Sequence, residues 1–572
     1  MKEKKYLVLS IALVLLTFVG VSLAYFLTSI EGENKRVTIR TSDLRIIFTN
    51  GDAIEGTEIE PGWSVTKTFS VENKTKNEYK YNIVIEDLVN TFKTTGYLQY
   101  KITSTDGGYN MTSFEDVPKS SNATDTVLAY SVSIPSKSTQ NYTITIQYPN
   151  DENVDQSIDS LNNAIVTGKL YISKGSNPTL TYAILRDNPT IKTRTDFSAP
   201  FTETTTGTLF TSTESITGIT STPVNVYYYA GNTTNNWVKF GKKEIKTECT
   251  YNGSTVLYFN GSSAVFAKNE SQCLSSKICK LGDQYGVGET VTEDFCTSQG
   301  GEWTNQNAKW STSTNNFYWR IIRTNHDGSI RLLYVGTSHD TTTGNIGKSA
   351  FNTSGNSPKY VGYKYGEDTS LNTIRNNTTD STIKTYIDTW YQNNLTNYKK
   401  YLSTSAVYCN DRSEETEGSY TTSSTNFGFA SYKRLDTNKT PTYNCSDIRD
   451  AFSVENTSAQ LSYPIALMTA DEVSFAGGTS GYANMSTPYA WFISNSSETQ
   501  VSSSWWSLSP FAWDGYNTFE LYWSFDNARL DSHYVDSANA VRPVISLSSC
   551  VKVTGHGTAD DPYVVDYENS CK

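Results

Sequence analysis

Three groups of residues in this chain could carry chemistry. The first is eight cysteines, Cys249, Cys273, Cys279, Cys296, Cys409, Cys445, Cys550 and Cys571. Their number is even and none falls before residue 249, the usage expected of disulfides formed in an oxidising space. A metal site is the rival reading. The Cys273-x5-Cys279 spacing is wider than structural zinc favours, and no histidine lies near it, so no metal ligand is assigned. The second group is four histidines, all beyond residue 320, none followed by glutamate. A His-Glu-x-x-His zinc helix is therefore absent. His326 falls in a turn, and His533 has no Ser or Cys nucleophile in a motif context. The adjacent acids Asp471 and Glu472 open the helical stretch "TADEVSFAGG". Thr469 and Glu472 form a capping box there, and acids at a helix start are favoured electrostatically, which accounts for both. The third group lies in "WWSLSPFAWDGYNTFELYWSFDNARLDSHYVDSANAVRPVISL", Trp505 to Leu547. It holds ten aromatic residues in 43, interleaved with Asp, Asn, Ser and His. Strand alternation puts Phe519, Leu521, Trp523 and Phe525 on one face, as core, and Glu520, Tyr522, Ser524 and Asp526 on the other.

The elements that must position these groups begin with a possible anchor. Lys2, Lys4 and Lys5 precede Tyr6–Ile30, which carries no charge in 25 residues. A span needs about 20 apolar residues, whereas a signal has an apolar core of about 7–15. The expectation is a single-pass membrane segment over 6–30 with everything from residue 31 outside the cell. Cleavage near Ala24, after the small residues of Ser22-Leu23-Ala24, is the alternative, and it would make the protein secreted. Net charge is −11 with 18% charged residues and no basic run, so nucleic-acid binding is not expected. The many Asn-x-Ser/Thr triplets are what a chain rich in Asn and Thr produces by chance. Between 36 and 175, alternating stretches such as "SVTKTFSVEN" and "NYTITIQYP" are separated by turn-formers, which predicts an antiparallel β-sandwich. Residues 176–204 read as a linker. A second domain follows over 205–572, with "NHDGS" as a hairpin turn between two apolar runs. A cysteine-rich insertion occupies about 242–316. In "STIKTYIDTWYQNNL", Ser381 is the expected N-cap, with Ile383, Tyr386, Ile387 and Trp390 on one face. The fold class expected is mainly β with some helix: a membrane helix, a sandwich, then an α+β domain.

Two resemblances sharpen this reading. "SLAYFLTS" followed by "IEPGWSVTKTFSVEN" resembles the camelysin/TasA-like secreted β-sandwich proteins of Gram-positive bacteria, several of which form extracellular fibres. In the second domain, "FYWRIIRTNHDGSIRLLY", "VYCNDRS", "YPIALMTADEVSFAGG", "WWSLSP", "AVRPVISL" and "GHGTADDPYVV" occur in that order. This part resembles a surface-protein family of gut Firmicutes. Its ending is similar to the C-type-lectin-fold variable proteins of diversity-generating retroelements, which share their fold with formylglycine-generating-enzyme-like domains. The resemblance implies an exposed ligand-binding surface between the Ser-Pro and Arg-Pro motifs. The matching positions are Trp513, Asp514, Tyr516, Asn517, Tyr522, Ser524, Asp526, Asn527, Arg529, Asp531, His533, Tyr534 and Asp536, residue types suited to adaptable paratopes. Trp505-Trp506 and Arg542-Pro543 would be scaffold.

Calcium-dependent sugar binding would need Glu-Pro-Asn, Gln-Pro-Asp or Trp-Asn-Asp sequences, and none occurs. The acids of "NARLDSHYVD" are of a type that could ligate calcium, but no metal site is assigned to them. No cofactor and no enzymatic activity are expected, because the cysteines read as disulfide-bonded: Cys409 with Cys445, Cys550 with Cys571, and two pairs inside the insertion. The function expected is a bacterial cell-surface adhesion protein. Its lectin-like head, raised on a β-sandwich stalk, would bind an unknown protein or glycan outside the cell. The alternative is a subunit of an extracellular fibre or matrix.

Overall fold

The computed structural model describes residues 29–571 except 32–35, 42–43, 51–53, 56–58, 95, 158, 160–163, 262, 341–343, 424, 481–490, 494–502 and 525–528. The chain divides into two units, at Pro178/Thr179.

The first unit is a two-sheet sandwich. One sheet orders Ile54–Glu55, Ser29–Glu31, Val166–Lys174, Tyr79–Asn90 and Ser120–Ile134. The other orders Arg36–Thr41, Leu44–Asn50, Trp63–Asn73, Thr139–Tyr148, Gln99–Ser104 and Glu115–Asp116. Alternation sets the inward face, as expected of an antiparallel sheet covered on one side. Along Thr139–Tyr148 the buried residues include Tyr142, Ile144, Ile146 and Tyr148, and Phe69 and Val71 join the same core. Ser29 and Ile30 pair with Thr167 and Gly168. The last two residues of the expected membrane segment are therefore strand and not span; Tyr6–Thr28 lie outside the described residues. Among the described residues no helix is long and apolar enough to cross a membrane.

The second unit begins before the expected boundary. Residues 180–187 form helix α1 (Leu180–Asp187), capped by Thr179, whose side chain accepts from the Tyr182 backbone N–H. Leu180, Ala183 and Ile184 are part of the main core. Thr190–Thr193 then pairs in parallel with β1 (Thr208–Glu214). Much of the expected linker, 176–204, is therefore built into the second unit. The reason is the apolar face of α1, which the polar flanks of "NPTLTYAILRDNPT" obscure in the sequence.

Strands β2 (Trp237–Tyr251), β3 (Lys309–Thr324) and β4 (Ile330–Gly336) form the central ladder. The turn between β3 and β4 is the anticipated hairpin, with Gly328 at φ +77°. The expected insertion is not irregular at its ends. The β2–β3 ladder runs on from Lys242↔Asn316 to Thr250↔Lys309, and a small sheet closes its far end. Two disulfides staple that module, Cys249–Cys273 and Cys279–Cys296. Cys409–Cys445 and Cys550–Cys571 complete the pairing, and no free cysteine remains.

A second sheet carries the stretch from Trp505. Its order is β5 (Lys348–Ser349), β10 (Asn539–Ala540), β7 (Trp505–Trp513), β8 (Thr518–Ser524) and β9 (Arg529–Tyr534). It is tied to the central ladder through β11 (Pro543–Leu547), which pairs with β4 and with β6 (Ile465–Leu467). Helix α2 (Thr382–Asn394) starts at Ser381, whose side chain accepts from the Lys384 N–H, and buries Ile383 and Ile387. Helix α3 (Ala470–Ala476) shows the capping box of Thr469 and Glu472 and ends on Gly477 at φ +119°.

Candidate binding face

Strands β7, β8 and β9 are antiparallel neighbours, with Trp506 opposite Tyr522, Glu520 opposite His533, and Phe519 opposite Tyr534. Directly opposed residues share a face. One face therefore carries Trp506, Tyr522, Asp531 and His533. The His533 ring lies 5.2 Å from Tyr522 and 6.1 Å from Trp506, and its Nδ1 is 3.4 Å from Asn539 Nδ2. The opposite face carries a ladder of rings: Tyr432 to Phe511 at 4.5 Å, Phe511 to Phe519 at 6.4 Å, and Phe519 to Tyr534 at 4.6 Å.

The expected binding residues do not form one exposed surface. Tyr516 is 74% exposed, on a turn held by Asp514, whose Oδ1 accepts from the N–H groups of Tyr516 and Asn517 at 2.8 and 2.6 Å. Asn517, Tyr534 and Asp536 are exposed; Asp514, Tyr522, Arg529, Asp531 and His533 are half-buried. Arg529 and Asp531 pair at 2.8 Å. Trp513 is instead core, 4% exposed, packed with Val361, Phe427 and Phe429, its Nε1–H donating to the Ser423 carbonyl. Ser524 is buried as well. Asp526 and Asn527 lie outside the described residues.

Leu521 is core, as alternation expects, but the other face is not open to water along its length, since Glu520 and Ser524 on it are buried. The loop before Val361 lies over the start of β8: the Thr518 N–H donates to Gly355 O at 2.8 Å, and its hydroxyl donates to Ser357 O at 2.7 Å. Beneath this cover sits Glu520, fully buried, with no hydrogen-bond partner for either carboxylate oxygen among the described residues. Burial pushes its carboxyl well above the usual glutamate range, and the nearby Arg412 only partly opposes this. Arg412 is itself engaged, its Nε donating to Asp450 at 2.7 Å. A neutral, protonated Glu520 is the form this site can hold, since an unpaired buried carboxylate is costly. Nothing in the sequence pattern distinguishes Glu520 from a glutamate on a solvent-facing strand position.

The scaffold is rigid. Trp505 and Trp506 are buried, and the Trp506 Nε1–H donates to Ser349 O at 2.9 Å. Arg542 is buried and, among the described residues, donates only to backbone carbonyls, among them Gly344 at 2.9 Å and Phe492 at 2.6 Å. With no anion beside it among the described residues, burial lowers its pKa to about 9. Behind the sheet, Glu472 accepts from Arg323 at 2.9 Å and Arg331 at 2.6 Å, so this helix-start acid is also the hub of a buried ion-pair network. Among the described residues no three His, Cys, Asp or Glu side chains gather as a metal site. What the arrangement can do is offer amphipathic rings with adjoining polar groups to a partner. No protein-family model matches this chain, and no curated protein matches it.

Proposed function

We propose that the chain is a bacterial surface protein, held at or released from the membrane by its N-terminal segment, whose second unit binds a protein or glycan outside the cell. The observation that carries this reading is the set of exposed and half-buried groups on β8, on β9 and just after it, and on the turn between β7 and β8. Tyr516, Tyr522, His533 and Tyr534 present ring surface with few rotamers to freeze, and Asn517, Arg529, Asp531 and Asp536 supply hydrogen bonds and charge around them. They stand on strands fixed by buried tryptophans, and rigid support lowers the ordering cost of binding. Disulfide pairing of all eight cysteines agrees with life outside the cytoplasm. The resemblance to lectin-fold variable proteins supports the same placement of the site.

The test uses the full-length chain in a mild detergent, screened against glycan arrays, mucin and intact neighbouring bacteria. Tyr516→Ala, His533→Ala and Tyr534→Ala should keep the wild-type melting temperature and lose adhesion, because binding energy concentrates in a few anchors. Tyr534 lies on the opposite face of the sheet from His533, so three folded variants that adhere like the wild type would remove both faces of this part of the sheet from consideration.

A further inference from the structure

A groove of about 660 Å³ runs along the outer side of α2, in the size range of small-molecule sites. None of its lining residues is among the exposed groups of the binding face, although Ser349 O accepts from the Trp506 Nε1–H of that sheet at 2.9 Å. Tyr386 and Trp390, four residues apart on the helix, put two rings into it, with Thr385, Thr389 and Asn393 beside them and Ser349 of β5 opposite. The Cα positions of Tyr386 and Trp390 are about 6 Å apart along the helix axis, close to the length of one sugar residue in a chain.

Both rings are held before any ligand arrives. The Tyr386 hydroxyl donates to Ile346 O at 3.0 Å. Trp390 packs against Tyr334 at 5.3 Å and Phe317 at 5.6 Å. The threonine hydroxyl protons are committed to the helix, Thr385 to Ser381 O at 3.1 Å and Thr389 to Thr385 O at 2.8 Å. Their oxygens are left to the groove as acceptors, while the Asn393 side-chain amide offers both donors and an acceptor. The one charged lining residue, Asp380, is neutralised by Lys384 at 3.1 Å and Lys364 at 3.5 Å.

The geometry points to a neutral carbohydrate as the occupant. A pyranose has a C–H face that suits the electron-rich face of an aromatic ring, and an equatorial rim of hydroxyls that needs uncharged donors and acceptors. An anionic ligand would find no arginine or lysine among the lining residues. A purely apolar one would strip the threonine and asparagine groups of water without replacing their hydrogen bonds.

The experiment is saturation-transfer NMR on the full-length chain, in a detergent without a sugar headgroup, with cellobiose, lactose, chitobiose and N-acetyllactosamine as probes at millimolar concentration. Glucose 6-phosphate and a neutral tripeptide serve as controls. At least one disaccharide should show transfer and the controls none. Thr389→Arg and Thr385→Arg, both at exposed positions, should each weaken that binding about tenfold or more, with melting temperature unchanged. Tyr534→Ala, on the other surface, should leave it intact. Absence of transfer from all four disaccharides, stronger transfer from the tripeptide, or binding that survives both arginine variants would overturn the assignment. Loss in Tyr534→Ala alone would move the sugar to the sheet face, refuting the groove and leaving the proposed function standing.

Discussion

Glu520→Gln tests the oddest feature of the sheet, a buried carboxyl with no hydrogen-bond partner among the described residues. In the folded state burial holds its pKa above the unfolded value, which is about 4.3. Below that pH both states carry the proton, and Glu520 imposes no penalty from ionisation. As the pH rises past it, the unfolded chain releases the proton while the folded chain retains it. Stability is then lost with increasing pH, at about 1.4 kcal/mol per unit, until the folded carboxyl also ionises. Glutamine has the same shape as the protonated acid and does not titrate. The difference in unfolding free energy between E520Q and wild type should therefore be small near pH 4 and grow in favour of E520Q with that slope. Urea denaturation at half-unit steps from pH 4 to pH 8 measures it. Comparing the two proteins at each pH cancels the opposite trend from carboxylates such as Asp447, held down to about 2 by Arg449 and Arg375 against the opposing effect of burial. A difference that stays flat between pH 5 and pH 8 would refute the reasoning. It would mean that Glu520 is ionised in the folded protein and has found a counter-charge.

Glu472→Ala leaves Arg323 and Arg331 buried without their shared anion and should cost about 3–5 kcal/mol, read by urea denaturation. Replacing both Cys550 and Cys571 by serine opens a loop of sequence separation 21 and should cost about 3 kcal/mol in the chain-entropy model, seen as a lower denaturation midpoint. Trp513→Ala should destabilise by about 3–5 kcal/mol, as removal of a core aromatic does. Tyr516→Ala on the neighbouring turn should stay within about 0.5 kcal/mol, and similar values for the two would contradict their placement.

The sequence alone determined whatever depends on local pattern. Alternation and turn residues marked the sandwich strands, Ser381 and Thr469 marked helix starts, and an even set of late cysteines marked the disulfides. These signals are legible because each arises from neighbours within a few residues of one another. The tertiary structure decided everything that depends on what covers a strand. The period-2 rule assigns Glu520 and Tyr522 to the same face, yet one is sealed and the other half-open, because a segment some 160 residues earlier lies over the start of β8. Trp513 sits beside exposed Tyr516 in sequence but is buried by Val361, Phe427 and Phe429, which come from distant parts of the chain. Helix α1 looked like linker because its three inward residues find their core only through contacts such as Leu180 N–H to Val551 O, 371 residues apart in the numbering. The α2 groove brings Ser349 of β5 beside helix residues some 30 to 45 positions later in the chain. Burial is a property of the assembled surfaces, and no window of sequence contains both sides of such a contact.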